Sequence, residues 1–258
     1  MTKPIQMQKA SALWRKRGYT VAFVPTMGAL HDAHKALIKR AVRLADRVVV
    51  SGYVNPTQFT AQGDFGRYPR CPSKDRVLAG GAGADIYFCP KTLYAEDAST
   101  WVEEVDRSRG RCGARRRGHF RGVATVVVKL LSLVQPNWMI LGEKDGQQCE
   151  VLARVVRDLY LPVKILRHST IREKDGLPIS SRNLRLTPRE RKGAGLWAQR
   201  VREASRMGPR RAVSRLRQTL RGLAGVHLEY AEVVGGKLWA AAKVGKVRLI
   251  DHRKCGRP

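Results

Sequence analysis

Two histidines three residues apart, His31 and His34, stand directly behind the run Pro25-Thr26-Met27-Gly28-Ala29-Leu30, with Asp32 and Ala33 between them. Imidazoles so spaced can share one helical face and donate to phosphoryl oxygens, stabilising charge as a pyrophosphate leaves. The backbone amides of a helix N-terminus favour the same anion, and Gly28 permits close backbone approach. A helix cap with two surface histidines is the bland alternative, and for an isolated His-x-x-His it is the better one. Placement just after an apolar strand-like run tips the balance towards phosphate. A zinc pair is a third option, but no further His or Cys lies at ligand spacing.

Four more polar clusters stand further along the chain. Asn55-Pro56-Thr57-Gln58 offers amides with both donors and acceptors, suited to a small polar acid; alone it reads equally as an Asn-Pro turn. Gly118-His119-Phe120-Arg121-Gly122 is a glycine-flanked loop opening a helix, or simply a basic loop. Gly142-Glu143-Lys144-Asp145 presents a compact cation for phosphate and a carboxylate for ribose or magnesium, with Gln148 one turn onward. Ile179-Ser180-Ser181-Arg182-Asn183 combines two hydroxyls with a guanidinium, the makings of a mobile phosphate clamp.

The elements that would hold these clusters alternate. Apolar runs at 20–25, 47–54, 85–89, 138–141 and 163–166 read as strands. Amphipathic stretches at 9–17, 33–44, 74–82, 123–134 and 147–159 read as helices. Such alternation implies right-handed βαβ crossovers and a parallel sheet, an α/β fold that binds ligands beyond the carboxyl ends of its strands. Four of the five clusters lie at those ends or open the helix that follows. Thr187-Pro188 starts a further helix, Gly208-Pro209 breaks the helical stretch, and 228–234 and 247–250 alternate like strands. The spacing predicts a main domain over 1–170 and a smaller C-terminal α+β domain over 171–258 carrying the Ser-Ser-Arg-Asn loop.

Composition narrows the class. Five scattered cysteines without a Cys-x-x-Cys pair indicate reduced thiols and a cytoplasmic setting. No apolar run approaches the length of a membrane span, and the N-terminus lacks a signal-peptide core. The charge is the anomaly: 50 Lys+Arg against 21 Asp+Glu, a formal +29, with peaks at 107–121 and 200–221. Such a surface attracts polyanions, yet no nucleic-acid module is visible. Nonspecific, salt-sensitive nucleic-acid binding is expected, and a specific nucleic-acid partner is not.

Taken together, the clusters resemble the pantothenate synthetase (pantoate–β-alanine ligase) family. The similarity runs through P-T-M-G-A-L-H, V-N-P-T-Q-F, D-F-x-R-Y-P-R (64–70), G-H-F-R-G-V-A-T-V-V, G-E-K-D, S-S-R-N, Y-A-E-V (230–233) and G-K-V-R-L-I-D (245–251). The resemblance implies a Rossmann-like parallel sheet with helices on both faces. It also implies ATP-dependent joining of (R)-pantoate to β-alanine through a pantoyl adenylate, releasing AMP and pyrophosphate. Met27, Gly28, Ala29, Leu30, His31, Asp32, Ala33 and His34 would bind ATP, as would Gly142, Glu143, Lys144, Asp145, Ile171, Ile179, Ser180, Ser181 and Arg182. His34, His31 and Lys144 would be catalytic. Gln58 and Gln148 would hold pantoate, with Asn55 close by. Mg2+ would arrive with ATP, Asp145 being the protein ligand considered, and the implied assembly is a homodimer.

Several positions depart from the family pattern. In the H-x-G-H signature of related adenylyl-transferring enzymes the third residue is glycine; here Ala33 adds a methyl expected to crowd the nucleotide. Arg115-Arg116-Arg117 replaces a Ser-Arg-Pro-like stretch. Tyr53 stands for Phe and is expected to bring a hydroxyl near the acid pocket. Gly52 stands for a bulky aliphatic, and is expected to weaken strand packing by about 1 kcal/mol.

Overall fold

The computed structural model describes residues 1–60 and 62–256 of the chain. Its elements run α1 (Pro4–Lys16), β1 (Val21–Thr26), α2 (Asp32–Val42), β2 (Arg47–Gly52), α3 (Gln62–Gly66), α4 (Pro72–Gly81), β3 (Ile86–Phe88), α5 (Arg111–Arg115), α6 (His119–Val134), β4 (Trp138–Gly142), α7 (Gly146–Asp158) and β5 (Lys164–His168). Then come α8 (Pro188–Arg206), α9 (Pro209–Leu220), β6 (Val226–Val234), β7 (Lys237–Val244) and β8 (Val247–Lys254). Short 3-10 turns cover Pro56–Gln58, Glu143–Asp145 and Ser181–Arg185. The chain divides into two compact units. One comprises Met1–Glu143 with Gln147–His168, the other Lys144–Gly146 with Ser169 onward.

In the first unit five parallel strands lie in the order β3-β2-β1-β4-β5. Successive residues of β1 serve opposite faces, as strand geometry requires. Val21 and Phe23 pack with Met7 of α1, Val127 and Leu130 of α6, and Leu152 of α7. Ala22 and Val24 pack with Leu37, Ile38 and Ala41 of α2 and Ala79 of α4. Both faces are therefore buried, which is why the strands read as nearly continuous apolar runs. The helix-covered parallel sheet expected from the alternation is the one observed. β1 pairs with β2 over six residues but with β4 only at Ala22–Trp138 and Phe23–Met139. The strand order reverses across that β1–β4 seam, and the two strands part towards their carboxyl ends, where ligand crevices form in such sheets.

Two local expectations are corrected. α1 begins at Pro4, five residues before the anticipated start, because proline is well suited to the first helical turn. Gly52 does not weaken β2. A Cβ there would overlap the hydroxyl and ring of Tyr87 from β3, so the phenol occupies the volume an aliphatic side chain would have filled. The Tyr53 hydroxyl accepts from the Leu93 amide at 3.4 Å while its ring lies buried in the core.

The second unit is an antiparallel sheet, β6-β7-β8, packed with α8 and α9. The apolar middle between the two alternating runs is itself the central strand, β7, whose Leu238 and Ala240 meet Trp197 of α8 and Leu216 of α9. Thr187 caps α8 reciprocally with Glu190: the Glu190 amide donates to the Thr187 hydroxyl at 3.3 Å, and the Thr187 amide to the Glu190 carboxylate at 2.8 Å. Hydrogen bonds from the Thr187 amide and hydroxyl hold the Glu190 carboxyl below its ordinary value.

Candidate active site

The loop leaving β1 is fixed by a carboxylate distant in sequence. Asp75 of α4 is 3% exposed and accepts the Ala29 amide at 2.9 Å and the Leu30 amide at 2.7 Å. Ala29 sits at φ 50°, a left-handed conformation costly for a non-glycine residue, and these two hydrogen bonds oppose its relaxation. The Tyr87 hydroxyl donates to the same carboxylate at 3.1 Å. Burial, then the Asp75 charge, push the Tyr87 phenol far above its ordinary range, so it remains a donor. The Gly28 amide, in turn, donates to the Thr26 hydroxyl at 3.0 Å.

This turn delivers the two histidines to the start of α2. They do not share a helical face as expected. His31 is the N-cap, with extended backbone, and His34 is the third helical residue. A capping arrangement brings them together, with ring centroids 4.0 Å apart and planes 27° from parallel. The His31 amide donates to His34 Nδ1 at 3.3 Å, which places the proton of a neutral His34 on Nε2. Asp32 and Ala33 occupy the first two helical positions, beside the positive end of the helix dipole.

Beyond β2, Asn55 is 1% exposed and its carboxamide is engaged on both sides. Its Nδ2 donates to Gln58 Oε1 and to the Gly122 carbonyl, each at 3.0 Å. Its Oδ1 accepts from the Thr57 and Tyr94 hydroxyls, each also at 3.0 Å. Asn55 thus positions Gln58, whose Nε2 lies 2.8 Å from the Met27 sulfur. The structure thereby unites Met27 and Gln58, which the sequence had placed in separate clusters. The Gly118-His119 motif finds its purpose here too. His119 Nδ1 donates to the Gln58 carbonyl at 2.7 Å, and Arg116 meets His119 Nε2 at 2.9 Å and the same carbonyl at 3.2 Å. Since a guanidinium only donates, Nε2 accepts and Nδ1 carries the proton. A Cβ on Gly122 would overlap the Thr57 carbonyl, so α6 can approach this loop only with glycine at that position.

Gln148 stands on the first turn of α7, after β4. Its neighbour Gln147 is buried and reaches the other way, accepting from the Cys112 amide at 2.9 Å and donating to the Arg107 and Arg109 carbonyls at 3.0 Å. Gly142 ends β4 and Glu143 begins the turn that follows.

Within the second unit, residues 171–179 form a narrow hairpin. The Ile179 amide donates to the Ile171 carbonyl at 3.0 Å, so two of the anticipated nucleotide contacts are directly paired. Arg172 grips the buried Asp251 of β8 through two hydrogen bonds of 2.8 Å, anchoring the hairpin to the sheet. Asn183 closes the loop by donating to Glu173 and to the Pro178 carbonyl, both at 3.0 Å. Ser180 caps the turn containing Ser181 and Arg182, and the Lys144 ammonium donates to the Ser180 hydroxyl at 3.3 Å. Asp145 is half-buried beside Lys144.

A family model described as pantoate–β-alanine ligase matches residues 1–254. The chain belongs to the pantoate–β-alanine ligase family. A pantothenate synthetase of Thermotoga neapolitana is 42% identical over 272 residues, spanning 97% of each chain. The crystal structure of pantothenate synthetase from Thermus thermophilus superposes with a TM-score of 0.91 at 36% identity, covering 100% of this chain and 99% of that one. The pantoate–β-alanine ligase of Francisella tularensis, solved complexed with β,γ-ATP and β-alanine, gives 0.89 at 33% identity and covers 98% of this chain and 96% of its own. Among these ligase-family loops, Asp75, His119 and Gln147 were not singled out as supports by their sequence. Asp75 is one acid in an ordinary helix, and no local spacing shows that it meets an amide 46 residues away.

Proposed function

We propose that this chain joins (R)-pantoate to β-alanine at the expense of ATP. The observation that carries the proposal is the loop after β1, where a buried carboxylate holds the stacked His31–His34 pair at a helix N-terminus within a chain matched end to end by the ligase family. A pantoate carboxylate oxygen attacks the α-phosphorus of ATP, and the bond to the bridging oxygen of the leaving pyrophosphate breaks. The β-alanine amine then attacks the acyl carbon of the mixed anhydride, expelling AMP and losing a proton as the amide forms. A carboxylate is a poor acyl donor until its oxygen belongs to a good leaving group, so positioning and phosphate electrostatics carry most of the acceleration.

In this reading His34 donates from Nε2 to phosphoryl oxygen and His31 supports the same charge. The stretch Met27–His34, together with Gly142–Asp145, binds the nucleotide. Lys144 lies on the phosphates, Ile171 contacts the adenine, and Ile179, Ser180, Ser181 and Arg182 close on the triphosphate. Gln58 and Gln148 hold pantoate, with Asn55 keeping Gln58 in place. Among the described residues no group of three or more His, Cys, Asp or Glu is arranged to hold a metal. In this reading Asp145 would be the carboxylate facing Mg2+, with triphosphate oxygens and water supplying the remaining donors. Bound there, Mg2+ would neutralise the pyrophosphate leaving group.

The proposal extends to a cytoplasmic homodimer in which residues 171–258 act as a domain carrying the phosphate loop. Among the described residues no helix is long and apolar enough to cross a membrane. Sedimentation of the purified protein reads the assembly. The activity is tested by pantothenate formation with each substrate omitted in turn. AMP and pantothenate should appear only with ATP, pantoate and β-alanine together, and turnover with another acid alone would refute the substrate assignment. Gln58→Ala should raise the KM for pantoate at least ~10-fold with a smaller effect on that for ATP, as expected where buried polar groups read a hydroxyl.

A further inference from the structure

The second unit treats its arginines in two ways. On the sheet and hairpin side they are paired: Arg172 and Arg253 with Asp251, Arg191 with Glu173 and Asp175, and Arg248 with Glu229. From the second half of α8 through α9 most are not. Residues 200–221 hold eight arginines, no lysine and one acid, Glu203, which is already bonded to Arg200 at 2.8 Å. Arg206, Arg210, Arg211, Arg217 and Arg221 are all exposed, and among the described residues none of them makes an ion pair. Like charges gathered this way repel one another, and among the described residues of this stretch Glu203 is the one acid set against eight arginines.

We propose that this arginine face binds the phosphodiester backbone of double-stranded nucleic acid without reading its sequence. Arg210, Ser214, Arg217 and Arg221 recur at three- and four-residue intervals, so they align along one side of α9 and its C-cap. The row extends about 16 Å at helical rise, while a duplex presents one charge per about 1.7 Å of its axis. Guanidinium forks suit phosphate oxygens better than ammonium groups do. The apolar residues of α9, Ala212, Leu216 and Leu220, are buried in the unit's own core and leave no apolar face to enter a bilayer. Residues 200–221 contain no aromatic side chain on which unpaired bases could stack, which favours duplex over single strand.

The test separates this face from the diffuse charge of the whole chain. Arg210→Glu/Arg217→Glu/Arg221→Glu is compared with Lys9→Glu/Lys16→Glu/Arg17→Glu, an equal charge change on exposed residues at and just beyond α1. Binding of a 25-base-pair duplex of arbitrary sequence is followed by fluorescence anisotropy as salt is varied. Removing three phosphate contacts should flatten the log–log salt dependence by about 2.7 and weaken binding at least ~10-fold at 0.1 M salt. The α1 variant should stay within ~3-fold of the parent. The milder Arg210→Gln/Arg217→Gln/Arg221→Gln should lose affinity in the same direction, and circular dichroism with ligase activity checks that each variant folds. Equal losses in the two Glu triples, tighter binding to phosphatidylserine vesicles or to a single strand, or no duplex binding at 0.05 M salt would overturn the proposal.

Discussion

The two loops proposed to meet phosphate are built differently. The loop after β1 is tied from beneath by buried groups: Asp75 takes two of its amides, and Asn55 and His119 brace Gln58 beside it. In the Ser180–Arg185 loop Asn183 donates to Glu173 and Ser180 accepts from Lys144, while Leu184 at its tip is 82% exposed. A buried network fixes geometry, whereas an exposed tip leaves a segment freer to adjust. The first loop rests on buried partners; the second carries an exposed tip.

That contrast can be broken most directly at His34. His34→Ala should slow pyrophosphate release in a single turnover by about 10²–10³-fold, while removing a cap worth only about 1 kcal/mol. A single-turnover rate within threefold of the parent would remove the histidine pair from the reacting phosphate. Asp75→Ala comes next. Stranding two buried amides should cost about 3 kcal/mol of stability and lower kcat/KM roughly 100-fold through misplaced histidines. Asp75→Asn, which retains a carbonyl acceptor, should recover part of both losses. Wild-type activity in Asp75→Ala would mean that the loop holds its shape unaided.

Ser180→Ala should act in the opposite sense, raising the KM for ATP by about 3–10-fold while costing no more than the roughly 1 kcal/mol of a lost cap. A large stability loss there would show the second loop to be as built-in as the first. The smallest effect concerns pH. Burial opposes ionisation of Asp175, but hydrogen bonds from Arg191 and the Leu177 amide outweigh it and hold the carboxyl below its ordinary value. The resulting stability is present above the unfolded value near 3.8 and is lost as pH falls through the lower folded value. Melting temperature should therefore drop more steeply between pH 4 and 2.5 in the parent than in Asp175→Asn.

Much of this was legible from the sequence, for a definable reason. Strand and helix periodicities are local, so the alternation gave the parallel sheet, and three of the polar clusters stand directly after its strands β1, β2 and β4. The supports were hidden because they act across the chain. Asp75 reaches back 46 residues to Ala29, and the His119 ring folds over a carbonyl 61 residues away. The pairing of His31 with His34 was misplaced on a shared face because nothing in the spacing distinguishes an N-cap from a first helical turn. Gly52 was misjudged for a related reason, since its partner Tyr87 lies on another strand.

That last pair constrains the order in which this protein could have changed. Adding a side chain at 52 while Tyr87 remains drives atoms into one another, and trimming Tyr87 first leaves a hole beside a carboxylate that has lost a donor. The two positions therefore act as one packing unit, in which a larger residue at 52 requires a smaller one at 87.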